Sequence, residues 1–383
     1  MPVKLSPEIG SNFCYAPWTN IHINTEGDFK TCCAGGNGLG KLKSTPIYNI
    51  LSGKKLLEIK QAIYNNQYHE NCEGCVKVEK HSSSSERTWY DSIAQKEIIE
   101  LDNIEDSNLQ SLDIRWSNTC NLSCVYCGHY ASSQWSTLKK QPVERLDYKN
   151  TLDSILEFID SNKKSLKNIS LLGGEPLLQK ENEQLLDVVS DQVSIYVITN
   201  LSVPLETNKI FRKLIEKSNV TWDISFETVE ERFAYVRHGS SWDLMLKNIK
   251  YLREATKDKP GQAIAVTSQY SVYNALNLSN IYESFIHYNL PFMRWSELHH
   301  PAILSVINLP QKFIEKAIGE LKICINNQYP SPFLEQMYRS LKSVNSNTKN
   351  CNELIQWHID QEENYWPDFK YKFADLWTEY REL

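Results

Sequence analysis

The sequence predicts an α/β fold: a partial (β/α)6 barrel of the TIM type, preceded by a small hairpin–helix module and followed by a helical extension. Three observations carry that prediction. Six short apolar stretches alternate with amphipathic ones through the middle of the chain. Ahead of them lies a segment of alternating residues broken by a turn. Behind them, aromatic residues recur at helical spacing. The expected boundaries are residues 1–100, 101–308 and 309–383.

In the first segment, Ile21-His22-Ile23-Asn24 alternates, Thr25-Glu26-Gly27-Asp28 supplies a turn, and the chain returns as Phe29-Lys30-Thr31-Cys32. That reads as a hairpin with Gly27 where φ can be positive. An amphipathic helix is expected over Lys54–Asn65, apolar at Leu56, Ile59 and Ile63, running out into Cys72-Glu73-Gly74-Cys75. Ser82 to Ser85 and the polar stretch after them read as a linker.

The barrel strands are expected at 112–116, 169–172, 193–199, 221–226, 263–269 and 292–298. Helices between them are expected at 151–161, 181–189, 208–217, 242–255 and 278–287, with a final one beginning near Leu309-Pro310. Such alternation implies parallel strands with helices outside. Six units rather than eight leave the barrel partial. In the last segment Trp366-Pro367-Asp368 reads as a helix start. Tyr365, Phe369, Phe373, Leu376 and Tyr380 then read as a packing stripe.

Composition narrows the function. The 383 residues carry a formal net charge of −6, so there is no basic footprint for bulk nucleic-acid binding. No run of about 18 apolar residues is present and the opening residues lack a signal-peptide core, so a cytoplasmic protein without membrane partners is expected. In that compartment ten cysteines read as metal ligands, redox groups or buried apolar residues rather than disulfides. Cys324 and Cys351 read as buried.

Cys120, Cys124 and Cys127, within Cys-Asn-Leu-Ser-Cys-Val-Tyr-Cys, place three thiolates on one short loop at the end of the first barrel strand. Structural zinc normally takes four protein ligands, and so does a fully protein-ligated iron–sulfur cubane. Three therefore suggest a cluster with one open iron, or else a zinc site borrowing a distant ligand. Gly173-Gly174-Glu175-Pro176 follows the second strand: glycines admit a close ligand, glutamate accepts from an ammonium, and proline ends the strand.

Together these motifs resemble the radical S-adenosylmethionine (SAM) superfamily, in which CxxxCxΦC holds a 4Fe-4S cluster whose open iron is chelated by SAM. Tyr126 stands at the aromatic position. The resemblance implies that Gly173, Gly174 and Glu175 bind the methionyl amino group. It also implies that Asn200, Ser225, Glu227 and Arg237, at or after later strand ends, contact SAM. Glu227 stands where aspartate is usual, and its carboxylate reaches one methylene further. The N-terminal hairpin, helix and CxxC resemble a twitch or SPASM module, placed here before the barrel instead of after it. Cys14, Cys32, Cys72 and Cys75 would then hold an auxiliary 4Fe-4S cluster, with Cys33 spare. A structural zinc knuckle on the same thiolates is the alternative.

The function so implied is reductive cleavage of SAM to a 5′-deoxyadenosyl radical that takes a hydrogen atom from a substrate. A peptide is the leading substrate, with a small alcohol, sugar or nucleoside next. The electron donor would be of flavodoxin or ferredoxin type. A non-catalytic zinc- or cluster-stabilised scaffold is the reading from another class.

Overall fold

The computed structural model describes residues 2–42, 45–79, 85–94, 98–142, 148–298, 300–327, 329, 331–344, 346, 348–366 and 368–380. Its strands are β1 Val3–Leu5, β2 Asn20–Ile23, β3 Asp28–Lys30, β4 Gly40–Lys41, β5 Ile99–Leu101 and β6 Ser111–Ile114. They continue as β7 Asn168–Leu171, β8 Ser194–Thr199, β9 Val220–Ser225, β10 Gln262–Tyr270 and β11 Phe292–Glu297. From β6 to β11 each neighbouring pair is parallel and in chain order, which is the partial barrel. Each expected strand falls within two residues of its place at either end.

The hairpin is present, with β2 antiparallel to β3, yet it does not form a module apart. β2 also pairs in parallel with β6, setting Asn20 opposite Ser111 and Ile23 opposite Ile114. The strand order is therefore β11-β10-β9-β8-β7-β6-β2-β3-β4, one nine-stranded sheet. An open barrel leaves its first strand as an unpaired edge, and the hairpin covers it. Local patterning is silent on such a pairing, because β2 and β6 are joined through many intervening residues. β1 and β5 pair antiparallel, closing that stretch before it enters the barrel.

The two faces of the sheet differ in chemistry. Outward, Ile21, Leu112, Ile169, Val197, Trp222 and Ile224 join one core with the covering helices. Inward, successive strands present His22, Asp113, Ser170, Tyr196, Asp223 and Thr267, by the two-residue period of extended chain. Closed barrels of this type usually fill that space with branched aliphatic residues. A polar interior is what an open barrel needs if its lumen is to hold a ligand. His22 Nδ1 lies 2.8 Å from Asp113 Oδ2, so one such contact joins the hairpin to the barrel.

A second core gathers Phe13, Tyr15, Trp18, Ile59, Ile63 and Tyr90 under the N-terminal cysteines. The stretch expected to be linker is partly helix. Residues 82–84 lie outside the described residues, but Ser85 caps a helix over Glu86–Ile93, its hydroxyl and that of Thr88 exchanging bonds with each other's backbone N–H. The helix expected after Trp366 is two short ones, Phe369–Lys372 and Ala374–Tyr380, and Pro367 lies outside the described residues. Phe369 and Phe373 pack on Tyr235, and Trp366 packs on Trp135 with centroids 4.7 Å apart. Cys324 and Cys351 are buried.

Because Ile21 lies in the common core, Ile21→Ala should cost about 2–5 kcal/mol. Hydrogen exchange should quicken at β6 and β7 amides as well as in the hairpin. Acceleration confined to residues 14–42 would show that the hairpin folds as a separate unit.

Candidate functional site

The chain leaving β6 lines a cavity of about 260 Å³ at the carboxyl ends of the strands. Cys120, Cys124 and Cys127 form part of its wall, with Arg115, Gly173, Gly174, Asn200, Ser225 and Glu227 around them. The cysteine loop is held largely by its backbone. Ser123 N donates to His238 O at 2.9 Å, Val125 N to Val236 O at 3.0 Å, and Cys127 N to Cys124 O at 2.9 Å. Trp135 Nε1 donates to Cys124 O at 2.9 Å, and Ser133 Oγ donates to Cys120 O at 3.0 Å. Burial pushes all three thiols up, Cys127 to about 12, so their thiolates need a cationic partner.

Gly173 and Gly174 have a reason that their spacing alone does not show. A Cβ on Gly174 would sit 2.1 Å from Thr119 O, and Gly173 has φ +112° with Ser117 O 3.0 Å from its own missing Cβ. Across that gap Gly174 N donates to Ser117 O at 3.0 Å and Glu175 N to Thr119 O at 2.8 Å. The turn after β7 is thus the bed on which the cysteine loop lies.

Glu175 is fully buried and is not among the cavity-lining residues. Its carboxylate accepts from Thr199 Oγ1 at 2.7 Å, Asn200 N at 2.8 Å and Leu177 N at 3.1 Å. Burial holds its pKa up, at about 6, against the pull of those bonds. Here the structure departs from expectation, for the side chain ties the end of β8 to the turn. The cavity wall at this place is made by the two glycines.

Arg237 is expected from the resemblance to contact SAM, for which its guanidinium fork would have to be free. In the structure that fork is taken: Nε and Nη2 donate to Glu227 at 2.6 and 2.8 Å. The additional methylene of Glu227 suits it to this pairing. Arg237 Nη1 lies 3.7 Å from Cys124 Sγ, and the guanidinium stands 5.3 Å from the centre of the Tyr126 ring. Asn200 Nδ2 lies 3.7 Å from Cys120 Sγ and 2.9 Å from Asn121 Oδ1. Two of the three sulfurs therefore face side-chain donors, which suits thiolates. Tyr126 and Ser225 both line the cavity, and the Tyr126 hydroxyl lies beside the Glu227 carboxylate. These features fit a cluster on the three thiols with a polar ligand beside it.

Asp223, Thr267, Gln269 and Arg115 were missed, although each lines the same cavity. The signal was present: Asp223 is two residues before Ser225 and so shares its face of β9.

Cys14, Cys32, Cys72 and Cys75 line one small cavity of about 30 Å³, together with Glu86, Arg87 and Tyr90. Burial raises all four thiols, Cys32 to about 12 and Cys72 to about 11. The turn-plus-helix over residues 70–79 delivers Cys72 and Cys75, and the hairpin delivers Cys32. Among the described residues no three His, Cys, Asp or Glu side chains converge as they would around a single metal ion. The thiols instead surround a shared space, and four of them match the ligand count of a cubane.

Comparison with known proteins bears on both regions. Residues 114–283 match the family model described as the radical SAM superfamily, and residues 14–76 match that of an iron–sulfur cluster-binding domain, SPASM. The chain carries a radical SAM domain. Its cofactors are a 4Fe-4S cluster with SAM, and auxiliary iron–sulfur in the SPASM region. A 7-carboxy-7-deazaguanine synthase from Clostridium acetobutylicum is 28% identical over 179 residues, covering 45% of this chain and 72% of that protein. Similar solved structures include anSMEcpe with bound AdoMet, at TM-score 0.42, 16% identity, 58% of this chain and 63% of the other. Streptococcus suis SuiB bound to precursor peptide SuiA has TM-score 0.40 and 16% identity over 71% of this chain and 64% of the other. The chain spans less than two thirds of each of these solved chains. No described helix of this radical SAM protein is long and apolar enough to cross a membrane.

Two variants test the geometry. Gly174→Ala should prevent the cysteine loop from docking, so that iron is lost from the barrel site while the N-terminal site keeps its own. Full iron content in Gly174→Ala would refute the bedding role. Arg237→Met leaves Glu227 as an unpaired buried charge and should cost about 3–5 kcal/mol, whereas adding Glu227→Gln should recover most of it. Denaturant melts of the metal-free proteins measure both, and equal stabilities for the single and double variants would count against a buried ion pair.

Proposed function

We propose that this radical SAM enzyme oxidises a peptide substrate by hydrogen-atom abstraction. Cys120, Cys124 and Cys127 would hold the cluster that binds SAM, and Cys14, Cys32, Cys72 and Cys75 the auxiliary one. When bound, cluster and SAM supply a 5′-deoxyadenosyl radical on reduction by a donor of flavodoxin or ferredoxin type. The chain's own part is to orient and to exclude. Gly173 and Gly174 would present backbone groups to the methionyl end of SAM, and Tyr126 and Ser225 polar groups to the remainder. Arg237, held by Glu227, would act on Cys124 and set the Tyr126 ring, serving as a positioning residue.

The observation that carries the reading is the presence of two unequal thiol sets, one on the loop after β6 and one beside the hairpin that pairs with β6. The three-thiol set opens onto a cavity of about 260 Å³, while the four-thiol set surrounds a space of about 30 Å³. Four thiolates fill the protein-ligand positions of a cubane and leave substrate no iron to bind. A redox centre closed to substrate suits a net oxidation. Support for a peptide comes from the SPASM-type module at residues 14–76. The 28% identity to a deazaguanine synthase favours a second reading, a small heterocyclic substrate.

Reconstituted protein should carry roughly eight irons, four per cubane, and alanine at Cys120, Cys124 and Cys127 should leave about half. Alanine at Cys72 and Cys75 should spare reductive SAM cleavage and abolish oxidation of substrate. A parent protein with only four irons and one equivalent of zinc would overturn the two-cluster reading.

A further inference from the structure

Resting on that reading, we propose that Asp223 anchors a substrate subsite inside the barrel that takes a primary ammonium group, as on a lysine-like side chain. Asp223 is only 3% exposed and lines the cavity. One of its oxygens, Oδ2, accepts from the Tyr196 hydroxyl, which itself accepts from Arg294 Nη1 at 3.2 Å. The other oxygen, Oδ1, is buried and has no hydrogen-bond partner among the described residues.

Unpaired charge of this kind is costly, and native structures rarely keep it without use. Other charged side chains on the wall have partners. Arg115 is 3.3 Å from Asp113, and Arg237 holds Glu227. On this wall Asp223 is thus held through Tyr196 and Arg294 at one oxygen only, and its other oxygen has no donor among the described residues. On the neighbouring strand Thr267 Oγ1 is likewise buried and unpartnered among the described residues, but it is level with Ser225, nearer the strand end, while Ala265 is the residue opposite Asp223. Asp223 Oδ1, a buried acceptor with nothing to accept from among the described residues, defines a place inside the barrel for a group rich in N–H donors, with Thr267 Oγ1 between it and the strand end.

Its depth separates this place from the SAM site. Asp223 precedes Ser225 by two residues, about 7 Å further into the barrel from the strand end. The cysteines and the Gly173-Gly174 turn sit at that end. A merely structural role would need one oxygen, to receive the Tyr196 hydroxyl, and asparagine would serve it equally.

The test uses full-length protein, reconstituted anaerobically, and two probes that differ only in the terminal ammonium, which is the sole one present: Nα-acetyl-L-lysinamide and Nα-acetyl-L-norleucinamide. Calorimetric titration of the parent should show the lysinamide probe binding at least about tenfold tighter, the effect of one charge-assisted hydrogen bond. Asp223→Asn should erase that preference, keep the Tyr196 bond, raise the melting temperature of the ligand-free protein and leave SAM affinity within about twofold. No preference in the parent, a preference that survives Asp223→Asn, or a lowered melting temperature in Asp223→Asn would each overturn the proposal. A drop in SAM affinity in Asp223→Asn would also overturn it, by giving Asp223 to the cofactor's own ammonium. The amide titrations are run with and without SAM. A parent that fails to bind SAM would refute the radical reading while leaving the Asp223 result standing.

Discussion

Two backbone hydrogen bonds, from Gly174 N to Ser117 O and from Glu175 N to Thr119 O, hold the cysteine loop against the turn after β7. They form only because neither glycine has a side chain. At Gly174 any Cβ would overlap the Thr119 carbonyl. The loop's three thiols take their positions from this contact. Glu175 extends it to a third strand by accepting from Thr199 and Asn200, and Asn200 then turns its amide toward Cys120. Loop, turn and strand end thus form one connected unit under the cavity.

The same economy governs charge. Burial alone would keep the cysteines protonated, so each set needs either iron or neighbouring donors. In the barrel, Arg237 supplies positive charge at Cys124, and Glu227 keeps that arginine from costing more than it contributes. Across the sheet, His22 and Asp113 bind hairpin to barrel, and Arg115 carries the polar line into the cavity. The loop after β6 and the hairpin that delivers Cys32 are therefore tied together through one sheet.

Much of this was legible in the sequence, and the physical reasons for the rest are specific. Barrel strands and helices were readable because their periods are local. The cysteines were readable because thiolate chemistry restricts their spacing. The parallel pairing of β2 with β6 was not, since a hairpin's own pattern does not say which third strand it will meet. Glu175 and Arg237 read from the sequence as contacts to SAM, whereas in the structure their partners come from other elements: Thr199 and Asn200 for one, Glu227 for the other. Asp223 stood in plain view between Trp222 and Ile224, and strand period placed it inward. Only the packed structure shows that its second oxygen is left without a partner among the described residues.

The central claim is that one thiol set leaves an iron open to SAM and the other is closed. Electron paramagnetic resonance of the reduced protein, before and after SAM addition, tests it most directly. Two cluster signals are predicted, of which only the one lost on alanine replacement of Cys120, Cys124 and Cys127 changes when SAM is added. A change confined to the cluster on Cys14, Cys32, Cys72 and Cys75, or no change in either signal, would contradict the account.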